Sequence, residues 1–114
     1  MTNYKDIKNK KITIIGLGSS GLESAKLSNY MGAKVFASDS SKKLSVNENA
    51  FYLMETEHIP VETGKHSNRI YDADLWVVSP GVAKSSSIIK LAQKKEIPIY
   101  SELEFASWFT KAPI

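Results

Sequence analysis

The sequence predicts an α/β domain, a Rossmann-like doubly wound sheet of about five parallel strands. Three observations carry this. Five short apolar or β-branched runs alternate with segments able to form helices, the pattern of a parallel sheet covered on both faces. The first run, Ile12-Thr13-Ile14-Ile15, leads into Gly16-Leu17-Gly18-Ser19-Ser20-Gly21 and then a helical pattern. The second run ends in Asp39, at about the interval after Gly21 where such units carry an acid. A G-x-G-x-x-G run alone is a weak signal, but between a strand and a helix it has a physical meaning. The glycines permit a tight turn and close backbone approach, and the first helical amides face outward as a seat for phosphate or diphosphate.

Residues 11–16 read as a buried strand, nearly continuous in apolar and β-branched residues. Ser19 or Ser20 is placed to cap the next helix, Leu22, Ala25, Tyr30 and Met31 supply its apolar face, and Gly32 ends it. Residues 34–38 form strand two, and 40–43 a polar loop. A helix follows over 44–57, with Ala50, Phe51, Leu53 and Met54 as apolar content and Asn47 and Asn49 weakening its early turns. Residues 58–62 are a short strand, and Pro60 places it at an edge. Gly64 starts a turn, and 68–71 form at most a short helix. Residues 75–79 are the strongest later strand, ended by Pro80-Gly81. Ser85 or Ser86 caps a helix through Lys95 in which Ile88, Leu91 and Ala92 share a face. Residues 97–100 are the fifth strand, and 102–109 a final helix.

Size and composition narrow the class. A chain of 114 residues fits one domain, and 42% hydrophobic with 24% charged residues fits a globular protein rather than a disordered one. The absence of cysteine excludes disulfides and thiolate metal sites. The net charge of +3 comes from scattered lysines without an arginine stripe, which argues against nucleic-acid binding. No apolar stretch approaches a membrane span or a signal-peptide core, so a cytoplasmic protein with no membrane partner is expected. The end, Lys111-Ala112-Pro113-Ile114, reads either as a frayed tail or as a cut at a domain boundary of a larger enzyme.

Ligands of such sheets bind beyond the carboxyl ends of the strands. Three loops leave those ends, at residues 16–21, 39–43 and 79–84. Asp39 can accept hydrogen bonds from ribose hydroxyls or a base imide, or serve only as a cap; Ser40 and Ser41 add small donors and acceptors beside it. Ser79-Pro80-Gly81 allows close ligand approach or is only a rigid turn, and Lys84 is either a phosphate contact or an exposed lysine. There is no G-x-x-x-x-G-K-[ST] loop. His58 is expected at a strand edge and His66 facing solvent, and neither is expected to be a catalytic base. Glu102 and Glu104 are too closely spaced to work as a pair, although Glu102 can reach the crevice. Trp76, Trp108 and Phe109 read as core or interdomain packing. No catalytic residue and no metal site is assigned. The residues by themselves leave open an NAD-binding oxidoreductase domain and a standalone nucleotide-sensing module.

Four stretches occur in an order and spacing that resembles the amino-terminal domain of the Mur ligases, from about residue 8 to 114. They are Ile14-Ile15-Gly16-Leu17-Gly18-Ser19-Ser20-Gly21-Leu22, Ala37-Ser38-Asp39-Ser40, Asp72-Ala73-Asp74-Leu75-Trp76-Val77-Val78-Ser79-Pro80-Gly81-Val82, and Ile97-Pro98-Ile99-Tyr100-Ser101-Glu102-Leu103-Glu104. The likeness is strongest to the branch that adds D-glutamate. It implies a cytoplasmic ligase of peptidoglycan synthesis that uses ATP and Mg2+. Such an enzyme activates the carboxylate of UDP-N-acetylmuramoyl-L-alanine as an acyl phosphate, which the amine of D-glutamate attacks. It also implies that residues 1–114 are the UDP-substrate-binding domain, non-catalytic alone and without a cofactor of their own. The central ATP-binding and carboxy-terminal domains, partners in cis, are then absent from this sequence. Position by position, Gly18, Ser19, Ser20 and Gly21 resemble the diphosphate contact, Asp39 and Ser40 the uracil-recognising pair, and Gly81 a backbone contact to the uridine. Some members carry arginine where this chain has Ser41; here the nearest cations are Lys42 and Lys43.

Overall fold

In β1 (Lys11–Ile15), Ile12 and Ile14 point to one face of the sheet, Thr13 and Ile15 to the other, and all four are buried. A strand buried on both faces needs a layer on each side. The computed structural model describes residues 6–82 and 86–109. In it β1 is the centre of a five-stranded sheet ordered β3-β2-β1-β4-β5. The other strands are β2 (Lys34–Asp39), β3 (Val61–Thr63), β4 (Leu75–Val78) and β5 (Ile99–Ser101), and every pairing is parallel. The register sets Ile14 of β1 between Ala37 of β2 and Val77 of β4.

Helices α1 (Ser19–Tyr30), α2 (Leu44–Thr56) and α4 (Glu102–Ser107) cover one face. Their core joins Ile12, Ile14, Ala25, Leu53, Phe105 and Trp108. The other face carries a 3₁₀ turn (Asn68–Tyr71) and α3 (Ser87–Lys94), which pack Ile70, Ile89 and Ala92 on Ile15, Trp76 and Val78. The expected doubly wound α/β class is thus what the chain adopts.

Several elements depart from the sequence expectation in informative ways. The large apolar residues proposed for α1 are not its core face: Tyr30 is 86% exposed, and the helix buries Gly21, Ser24, Ala25 and Ser28. Small residues bring its axis close to the sheet, and the Ser28 hydroxyl is satisfied by the Ser24 carbonyl at 2.8 Å. Gly18 takes the cap position of α1, with no side-chain cap bond, so neither Ser19 nor Ser20 caps it. Gly32 does end α1, at φ +88, with the Ala33 and Gly32 amides closing on Ser28 and Asn29. In α2 the buried residues are Val46, Ala50 and Leu53, while Phe51 and Met54 face solvent.

The third strand begins at Val61, not at residue 58. His58 adopts φ +57 where α2 ends, and Pro60 has no amide to donate, although its carbonyl accepts from Ala37. The fifth strand likewise starts late, after Glu96 at φ +61 and Pro98. Trp76 and Trp108 are core residues. Ala83, Lys84, Ser85 and residues 110–114 lie outside the described residues, as do the expectations placed on them.

Trp76 is fully buried on β4 and donates its indole N–H to the Ile70 carbonyl at 2.6 Å, pinning the 3₁₀ turn beneath the sheet. Trp76→Phe removes the donor and leaves both a void and a buried unpaired carbonyl. A loss of about 2–4 kcal/mol of unfolding free energy is expected in urea titrations.

Candidate functional site

Three loops meet at the carboxyl edge of the sheet, where β1 is flanked by β2 and β4. Gly16 leaves β1 at φ +101, and a Cβ there would stand 2.6 Å from the Ser79 Cβ. That contact puts the first and third loops against each other. The Gly16 amide donates to the Ser38 carbonyl, and the Ser79 amide to the Ile15 carbonyl, both at 2.9 Å, so both loops stay tied to the sheet.

Gly21 serves a different purpose from Gly18. It is buried, and a Cβ on it would collide with the Gly16 carbonyl oxygen. Its first task is therefore the close approach of α1 to the β1 loop, and only its amide remains for a ligand. Around Gly18 there is no atom within 4 Å of an added Cβ, and Gly18, Ser19 and Ser20 are exposed. The first intrahelical bond of α1 runs from Leu22 to Gly18. The amides of residues 18–21 therefore precede the helix's own ladder and carry its positive dipole end.

Asp39 is half-buried, and its carboxylate does structural work. Oδ2 accepts the Leu17 amide at 2.7 Å and Oδ1 the Ser41 amide at 2.8 Å. The acid at the end of β2 thus ties the glycine loop to its own loop. A carboxylate has about four acceptor positions, so capacity for a ligand donor remains. Asn49 of α2 adds a bond from its side-chain amide to the Leu17 carbonyl at 2.8 Å. Sequence reasoning read Asn49 only as a weak helix former, and no local signal marks it as a loop anchor. Ser40 and Gly81 are exposed on the same edge, and Lys42 folds its carbon stem over Gly64.

His66 corrects the expectation of a solvent-facing loop residue. It is half-buried, with Nδ1 2.7 Å from the Ser38 hydroxyl. That hydroxyl donates to Glu62 Oε2 at 2.7 Å, which also accepts the Ser67 amide at 2.7 Å. A hydroxyl has one proton, so Nδ1 carries the hydrogen in this arrangement. Burial lowers the His66 pKa, against an opposing pull from Asp39 and Glu62. Burial alone would raise Glu62, but hydrogen bonds from Ser67 and Ser38, with His66 nearby, hold it below the ordinary carboxylate value. Ser38 is wholly buried, which rules it out as a nucleophile despite its histidine and carboxylate neighbours.

On the other side of Ser19 and Ser20, a cleft of about 730 Å³ opens between α1 and α4. Pro80, Glu102, Leu103 and Ala106 line it, whereas Asp39 and Ser40 do not. The first turn of α1 is where the cleft and the Asp39 edge adjoin. Glu102 does reach this crevice, as its position after strand five allows. Glu104 instead closes a capping box with Ser101, each bond being 3.0 Å.

The His66 network has a pH signature. A histidine whose folded pKa lies below its unfolded value adds stability that is complete above about pH 6.5 and lost as pH falls through the folded pKa. Glu102, held above its ordinary value by burial, acts in the opposite sense as the pH drops. The two are separated by comparison with a variant. His66→Gln is expected to lose less stability than the unaltered chain between pH 7.5 and 5, as read from urea unfolding at both pH values.

Similarity to known proteins agrees with this geometry. Residues 10–101 match the family described as Mur ligase MurD-like, N-terminal domain. UDP-N-acetylmuramoylalanine--D-glutamate ligase of Chloroherpeton thalassium is 42% identical over 97% of this chain and 24% of its own length. The enzyme of the same name from Koribacter versatilis is 38% identical over 91% of this chain and 23% of its own. The chain therefore spans about a quarter of the length of the curated relatives it matches. Among solved structures, UDP-N-acetylmuramate-alanine ligase MurC from Thermotoga maritima superposes with a TM-score of 0.68 at 27% identity, over 85% of this chain and 22% of that one. L-tryptophan dehydrogenase from Nostoc punctiforme reaches 0.62 at 17% identity over 85% of this chain and 27% of that one, a likeness of fold alone. With most of its length matched by the family and its glycine loop, Asp39 edge and sheet order in place, the chain belongs to the MurD-like N-terminal domains of the Mur ligases.

Proposed function

We propose that this domain holds the UDP part of UDP-N-acetylmuramoyl-L-alanine for a ligase that joins D-glutamate to it. The bond from the Leu17 amide to Asp39 Oδ2 at 2.7 Å is the observation that supports the reading best. It fixes the glycine loop and the end of β2 as one unit, so a diphosphate seat and a base-reading acid share one frame. In this reading the diphosphate accepts from the amides of residues 18–21, with Ser19 and Ser20 hydroxyls beside it. The uracil lies at Asp39 and Ser40, and the Gly81 backbone closes over the uridine. The exposure of Gly18, Ser19, Ser20, Ser40 and Gly81 on one edge leaves these groups open to a ligand.

The relatives' names supply the ligase class and the substrate, and their greater length supplies the rest of the machinery. Among the described residues no group of three or more histidines, aspartates or glutamates is arranged to hold a metal ion. The ATP and magnesium that the ligase class implies are assigned in this reading to the ligase's other domains. The part this domain plays is positional: it fixes the nucleotide end of the substrate, which limits where the reacting carboxylate can travel. Among the described residues no helix is long and apolar enough to cross a membrane, and a cytoplasmic setting fits a nucleotide-linked substrate.

Binding and turnover measurements test this. Asp39→Ala should weaken UDP about tenfold to a hundredfold, the range for losing a charge-assisted hydrogen bond, and weaken inorganic diphosphate less. NMR shifts on titrating UDP should fall in the three edge loops. Tighter binding of NADH than of UDP would favour the oxidoreductase reading and end this one. In a second assay, ATP, Mg2+, UDP-N-acetylmuramoyl-L-alanine and D-glutamate should yield phosphate with the full-length ligase and none with residues 1–114 alone.

A further inference from the structure

Glu102 is the first residue of α4 and is buried to 8% exposure, yet its Oε2 has no hydrogen-bond partner among the described residues. A buried carboxylate oxygen without a donor is costly, which makes it the exception to explain. Its surroundings point to a ligand. Oε2 lies 3.5 Å from where a Cβ on Gly21 would stand, against the first turn of α1. Glu102 lines the α1–α4 cleft together with Ser19 and Ser20. A phosphate accepting from the free amides of that turn therefore shares its space with this carboxyl.

An ionised Glu102 would repel the phosphate across a site from which water has been displaced. A neutral one would instead offer an O–H to it. We propose that Glu102 takes up a proton from solvent when a diphosphate seats on the first turn of α1, and donates the resulting O–H to a phosphate oxygen. No bond to phosphorus forms or breaks; one proton moves from the medium to the carboxyl. The proposal rests on the UDP reading and adds to it a proton-linked contact, making the domain selective for a diphosphate diester over ligands that lack the anion.

The free protein is prepared for this. Burial holds the Glu102 carboxyl above its ordinary pKa, with the Ser20 hydroxyl drawing it partly back. Among the described residues, the charged groups facing it do not supply a cation. Glu23 of α1, on the same cleft, is 3.7 Å from Lys26, and Glu104 on its own helix is engaged in the capping box. On β5, Tyr100 packs its ring edge-on against Trp108, and the described part of the loop after β4, residues 79–82, has no titratable side chain.

The probe is UDP-N-acetylglucosamine, whose diphosphate diester does not titrate between pH 5 and 9. Calorimetry in two buffers of different ionisation enthalpy counts the protons taken up by the protein. The expected result is net uptake approaching one proton per ligand near neutral pH, with affinity falling by up to about tenfold per pH unit between the free and bound pKa values of the carboxyl. Glu102→Gln, whose amide donates without titrating, should show no uptake and a flat affinity profile. Binding without proton uptake overturns the proposal and leaves the UDP reading intact. Binding that requires added Mg2+, again without uptake, also overturns it, since a cation then bridges the two anions. A chain that binds no UDP ligand at all overturns both. The proton count on the unaltered protein decides the matter even where the glutamine variant fails to fold.

Discussion

Gly21 has no room for a side chain, and much of the molecule follows from that. Its Cα faces the Gly16 carbonyl closely enough that a Cβ would collide with the oxygen. Helix α1 can therefore approach the end of β1 only with glycine at this position. The approach continues down the helix through Ser24, Ala25 and Ser28, all buried and all small. It brings the first turn of α1 to the sheet's carboxyl edge. There the unladdered amides of residues 18–21 add a positive end to a concave surface. A positive helix end at this edge is thus a consequence of how one helix packs, before any charged side chain is considered.

Asp39 then gives the edge its rigidity. It accepts one amide from the glycine loop and one from its own loop, while Asn49 holds the Leu17 carbonyl from a third element. A loop fixed at its amide and its carbonyl has little freedom to reorient, and pre-ordered donors lose less entropy on binding. Behind this edge the buried Ser38 hydroxyl joins Glu62 and His66, tying β2 to β3 and the turn after it. The acid at the end of β2 is thus a brace between two loops, and a carboxylate can accept more bonds than the two it makes here.

A doubly wound sheet hosts many chemistries, and a dehydrogenase superposes on this chain nearly as well as a ligase does. What separates the ligase reading from the dehydrogenase one is the family match over residues 10–101 and relatives of 42% and 38% identity that carry the ligase name. The site's own geometry adds a feature that neither fold nor motif contains. A cleft of about 730 Å³ lies between α1 and α4, away from Asp39, and Glu102, whose Oε2 has no hydrogen-bond partner among the described residues, lines it.

Elements whose signals are local are legible along the chain. Strand β1, the glycine turn, the end of α1 at Gly32, the 3₁₀ turn at 68–71 and the strand before Pro80-Gly81 all stand where the residues place them, because apolar runs, glycine and proline act on their own backbone. The residues also put three loops, those after β1, β2 and β4, at the carboxyl ends of parallel strands. Packing between elements, by contrast, selected which helical residues are core. Tyr30, Phe51 and Met54 are apolar yet exposed, while Ser24 and Ser28 are polar yet buried, since close packing selects for size before hydrophobicity. It also decided the partners of Asp39, His66, Asn49 and Glu102. Hydrogen bonds spanning 22 to 32 residues of chain, and a buried carboxylate oxygen without one, depend on where separate elements meet, and no pattern along the chain records that distance.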